Sequence, residues 1–170
     1  MSAPHVAGQP PLIAPAGGAT SPPTAHPPVT VVAGLWALGL FGLYIGLQQQ
    51  FLPLVFYERF PGFGMAWVAA DGPYNEHLMR DLGGANLALT FLIFLAIARP
   101  TVWLVRGAAI AVLIAQVPHF VYHALHLGLL PTTGERVLQT ASLGLVLLVP
   151  VLVLIASRSM TEGRSTTDQG

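Results

Sequence analysis

Four stretches of this chain are long, apolar and nearly free of charge: residues 29–52, 82–98, 101–126 and 136–156. A helix needs roughly 20 consecutive apolar residues to cross the hydrocarbon core of a bilayer. Inside that core every backbone polar group must be satisfied within the segment, which leaves the helix as the default solution. The runs therefore predict an all-α, polytopic membrane protein: a four-transmembrane-helix up-down bundle. Composition agrees, since only 8% of residues are charged and 54% are apolar, against roughly 25% charged in ordinary soluble domains.

Composition also excludes chemistry. With no cysteine, disulfides, thiolate metal sites and cysteine nucleophiles are ruled out. Seven basic residues balance seven acids, all seven basics being arginine. No basic patch exists for nucleic acid, and membrane lipid is the expected partner.

Residues 1–28 hold Pro10-Pro11, Pro22-Pro23 and Pro27-Pro28 among Ala, Gly, Ser and Thr, without a charge. They read as a disordered tail in which His5 and His26 are solvated bystanders. A secretory signal is not expected, because a positively charged start is missing and the next apolar run is too long. The membrane domain is placed at 29–157, and 158–170 reads as a second disordered tail.

The first run carries Gly42-Leu43-Tyr44-Ile45-Gly46, a spacing of small residues that lets a neighbouring helix approach closely. It ends in Gln48-Gln49-Gln50. From 53 to 80 aromatic rings (Phe56, Tyr57, Phe60, Phe63, Trp67, Tyr74) alternate with Glu58, Arg59, Asp71, Glu76 and His77, as suits a membrane–water boundary. Pro61-Gly62 and Gly72-Pro73 mark turns, and a short interfacial helix is expected over about 63–70. Asn75 is placed to cap the next helix, whose first turns offer Glu76/Arg80 and His77/Asp81 as i,i+4 pairs. Asn86 lies deeper in the apolar run and requires a partner there. Arg106 sits near a helix end, where it can snorkel toward water.

Pro118-His119-Phe120-Val121-Tyr122-His123-Ala124-Leu125-His126 carries three of the six histidines. At about 100° per residue, His119, His123 and His126 fall within a sector of roughly 60°, and Pro118 should kink the helix just before them. The first loop, the start of the second span and Gln139, Thr140 and Ser142 of the fourth belong to the same end of an up-down bundle. The polar residues thus converge on one site. Its candidates are His119, His123, His126, His77, Glu76 and Asp81 as metal ligands or acid–base groups, with Arg80, Tyr122 and Asn86 in support.

Three functions fit such a site. Imidazoles at i,i+4 with nearby carboxylates suit zinc, iron or copper, and histidines from two helices suit haem b in a redox subunit. The cluster equally suits a transporter or binding protein for a small polar molecule or lipid headgroup, with His123 or Glu76 responding to protons. It also suits a structural or accessory protein whose polar groups form an interfacial network, as a homo-oligomer or beside a partner membrane subunit.

Four spans, a long first connection rich in aromatic, Gly and Pro residues, and a polar cluster at one end resemble the small bacterial DoxX-like membrane proteins over residues 29–157. That resemblance implies a bacterial inner-membrane location. Because its relatives include quinone-linked redox subunits, it favours redox over transport. Arginine counts at the two ends, weighed by the positive-inside rule, place both termini in the cytoplasm and the histidines outside.

Overall fold

The computed structural model describes residues 27–160. The expectations for both tails up to residue 26 and from residue 161, with His5 and His26, lie outside them. Four long helices dominate: α1 (Val29–Phe51), α4 (Glu76–Ala98), α5 (Val102–Leu125) and α6 (Thr133–Ala156). Each is long and apolar enough to cross a membrane.

Local chemistry fixes where they start. The Asn75 side chain accepts from the Leu78 N–H at 3.1 Å, and Thr101 does the same for Leu104 at 3.2 Å. Thr132 accepts from the Glu135 N–H at 3.2 Å and donates to the Glu135 carboxylate at 3.1 Å. Each cap satisfies one of the N–H groups orphaned at a helix start. The Thr132–Glu135 cap starts α6 at Thr133, three residues before the expected start of the fourth span. Helices α5 and α6 continue through Pro118 and Pro150.

The loop between α1 and α4 differs from expectation. Pro53–Arg59 forms a helix, α2, with proline at its first position, where the missing N–H costs nothing. A hairpin follows, with Pro61–Gly62 (β1) paired to Met65–Ala66 (β2). Its tip uses positive φ at Gly62, Phe63 and Gly64. The interfacial helix expected over 63–70 is therefore confined to α3, Trp67–Asp71.

Helix α1 packs against α4 and α6, and α5 closes the ring between α4 and α6. Along the α1–α4 seam Gly39 meets Ile93 and Phe94, Gly42 meets Thr90, Gly46 meets Leu87, and Gly83 meets Gln49 and Gln50. Rising numbers in α1 pair with falling numbers in α4, so the two run antiparallel. The Gly42–Gly46 step thus serves α4. A Cβ on Gly83 would lie 2.6 Å from the Gln50 nitrogen, so the backbones touch there only because the side chain is absent.

The apolar core sits at the end shared by the α4–α5 turn and the α6 terminus. Val31, Leu35, Leu38, Ile93, Ala96, Val102, Val105, Ala108, Ala109, Val112, Val153 and Met160 form it. Arg106 does not snorkel freely. Its Nε donates to Ser157 Oγ and its second guanidinium nitrogen to the Ser157 carbonyl, both at 3.1 Å. A cation there also complements the negative end of the α6 dipole. Ser157–Ser159 forms a helical turn and Met160 is buried. The folded chain therefore runs past the boundary expected at 157.

Candidate polar site at the loop end of the bundle

The buried side chains of α5 (Val102, Val105, Ala108, Ala109 and Val112) all lie in its first half. Beyond them the helix leaves the core and carries its histidines on an open flank. His119 and His126 are exposed and His123 is half-buried. The His119 and His123 rings meet edge to face, centroids 4.6 Å apart. Tyr122 stacks on His126 at 4.2 Å and meets His123 edge to face at 5.4 Å. His126 Nδ1 lies 2.7 Å from the Tyr122 carbonyl, so the last histidine is engaged by the end of its own helix.

The fifth member comes from the loop. Asp71, the last residue of α3, accepts a hydrogen bond from the Tyr122 hydroxyl at 3.2 Å. That bond holds the end of α3 against the histidine-bearing turns of α5. Asp71 was not among the sequence candidates. The signal available was its place before Gly72-Pro73, where a short helix must stop, but no spacing rule links it to α5.

The other sequence candidates form separate pairs. Glu76 and Arg80 make an ion pair at 2.7 Å, and Arg80 also donates to the Gln50 carbonyl at the end of α1. His77 and Asp81 approach to 3.4 Å on the outer face of α4, the His77 side chain being 88% exposed. Both pairs are the expected i,i+4 contacts. Among the described residues, no hydrogen bond or ion pair joins this turn of α4 to the histidines of α5. None of the described His, Asp and Glu side chains form a group of three arranged to hold a metal. Partial burial and the Glu76 carboxylate, opposed by Arg80, hold the Tyr74 phenol above its ordinary value.

Asn86 finds the partner its position demands: its amide donates to Gln49 Oε1 at 2.7 Å. Gln49, Thr90 and Gln139 are buried polar residues in the same half of the bundle or at its middle. The Gln48 amide nitrogen and the Trp67 indole nitrogen are buried donors without an acceptor among the described residues. The interior therefore changes from dry at the α4–α5 turn to polar toward the loop.

Compared with known proteins, the chain matches no family model, no curated protein and no solved structure.

Proposed function

We propose that the chain is a multi-pass membrane protein that binds a divalent transition-metal ion at the loop end of its bundle, through the His119–His123 pair of α5. Membrane insertion is supported by what the helices leave uncovered. Trp103 is 80% exposed, Ile114 70% and Phe91 69%. Large side chains of this kind around a whole bundle call for lipid as solvent. The four-span topology, cytoplasmic termini, bacterial inner membrane and likeness to DoxX-like proteins belong to the same proposal. The chain has no cysteine of its own, so Phe63→Cys at the hairpin tip and Thr101→Cys at the α4–α5 turn report topology. An impermeant thiol reagent added to intact cells should label the first and not the second; the reverse pattern would invert the orientation.

The observation that carries the metal reading is the His119–His123 pair. Both imidazoles stand on one open flank, and no hydrogen bond within the described protein occupies either ring. Neutral imidazole is a ligand for zinc, copper and iron. The local charge favours a cation: Arg80 is paired with Glu76, and Arg136 donates twice to the Leu130 carbonyl. Asp71 has no guanidinium partner among the described residues. Two imidazoles make a partial set, with water completing the coordination and the Asp71 carboxylate held on the neighbouring Tyr122. An ion fits better than haem, since His77, the described histidine on another helix, pairs with Asp81 on the outer face of α4 rather than facing those of α5.

Equilibrium dialysis of the detergent-purified chain against Zn²⁺ and Cu²⁺ tests the reading. One ion per chain is expected, lost in His119→Ala and in His123→Ala and kept in His77→Ala. Equal uptake by wild type and both α5 variants would remove the proposal.

A further inference from the structure

A second polar feature lies away from the histidine flank, inside the bundle. Asn86, Thr90 and Gln116 line a half-open cavity of about 30 Å³, whose apolar wall includes Leu38, Phe41, Ile93, Val112 and Val146. We propose that this cavity is a hydration site that holds one or two ordered waters, bridging α4 to α5 at the depth of the bundle's middle.

Size and chemistry both select water. A site needs roughly 10–15 Å³ of this kind of volume per water, and two to four polar partners. The cavity satisfies the first condition for one or two waters. The second is met by groups that the protein leaves without partners. Thr90 is 3% exposed, yet its hydroxyl makes no hydrogen bond to another described residue. The Gln116 amide is equally unengaged. Asn86 spends its amide nitrogen on Gln49, which leaves its carbonyl oxygen free as an acceptor. Donors and acceptors of both kinds thus converge on one small void.

The seam with α1 explains why the protein cannot close this void. At Gly42 a Cβ would lie 2.5 Å from Thr90 Oγ1, so the Thr90 side chain already fills the space against α1. The remaining room lies among all four long helices, with Gln116 of α5 and Val146 of α6 in its lining. Apolar cavities of this size stay empty, whereas polar ones are hydrated because unpaired groups cost more than an immobilised water. In a bilayer no lipid atom could serve in place of that water.

Hydroxyl-radical footprinting of the intact chain in detergent micelles reads this site directly, because a bound water generates radicals beside its neighbours. Ile93 and Val112 are buried and report only internal water, while exposed Phe91 serves as the outer reference. In the wild type, Ile93 and Val112 should be oxidised above background. In Thr90→Val/Gln116→Leu, their labelling should fall several-fold while that of Phe91 stays constant. Should the double variant fail to fold, Gln116→Leu alone keeps the cavity volume and should reduce the same two signals. Unlabelled Ile93 and Val112 in the wild type, or undiminished labelling in a folded variant, would overturn the proposal.

Discussion

The Tyr122 hydroxyl donates to the Asp71 carboxylate across 3.2 Å and 51 residues of sequence. It ties the end of α3 to the last turns of α5, and so fixes the first loop against the histidine flank. Tyr57 makes a companion bond to the Gly72 carbonyl at 2.7 Å, holding the next residue of the same corner.

Removing that tie should free the loop without unfolding the bundle. Both partners are exposed, so Tyr122→Phe should leave the melting temperature of the bundle nearly unchanged. Amide exchange over residues 53–74 should nevertheless accelerate, while α1 and α4 remain protected. Unchanged exchange in the loop would show that the bond holds nothing.

The α1–α4 seam gives a sharper contrast. A Cβ on Gly83 would meet the Gln50 nitrogen at 2.6 Å, its Cα at 2.9 Å and the Gln49 carbonyl carbon at 3.0 Å. These are backbone atoms, which no change of rotamer can move. Gly83→Ala should destabilise by about 1–3 kcal/mol through overpacking. At Gly84 the nearest atom is a Gln50 side-chain oxygen at 3.7 Å, so Gly84→Ala should be neutral or slightly stabilising. Thermal melts of the two variants in one detergent check the difference.

Arg106 and the fully buried Ser157 should behave as a unit. Arg106→Lys keeps the charge but loses the fork that reaches both Ser157 oxygens. It should lower stability by about 1–2 kcal/mol, and Arg106→Gln by more, because the carbonyls at the end of α6 lose a charged donor. Chemical denaturation of the three proteins orders them. A lysine variant as stable as wild type would mean that charge alone matters there.

Gln49 and Asn86 form an amide pair inside the bundle, and a double-mutant cycle with Gln49→Leu and Asn86→Leu measures it. Coupling of about 0.6–2 kcal/mol is expected for a hydrogen bond between membrane helices. Additive single effects would show that each amide finds another partner when the first is lost.

The four helices could be read from the chain because hydropathy over long windows reports solvent more than neighbours. Asn75 was legible as a cap for the same reason of locality. The Thr132-Thr133-Gly134-Glu135 start of α6 was equally local and lay in plain view, but the apolar pattern begins only after it and drew the boundary to Arg136. The candidate site was legible only in its one-helix part. Spacing along α5 puts His119, His123 and His126 on one face, yet it cannot say whether that face looks inward or outward. The answer depends on α5 leaving the core after Val112. Nor could spacing separate the α4 turn from the histidines, since Glu76 prefers Arg80 and His77 prefers Asp81, each within its own helix. Asp71 was missed because its partner, Tyr122, is set by packing between elements.

The glycine notches of α1 and the Gln49 amide are complementary to a helix that has not yet been translated when α1 is complete. Residues 52–75 must be made first, and only then can Leu87, Thr90 and Phe94 arrive to fill the notches. For that interval α1 is an unfinished joint, open to any small-residue helix nearby. The first loop, whatever else it does, is also a delay line between a socket and its plug.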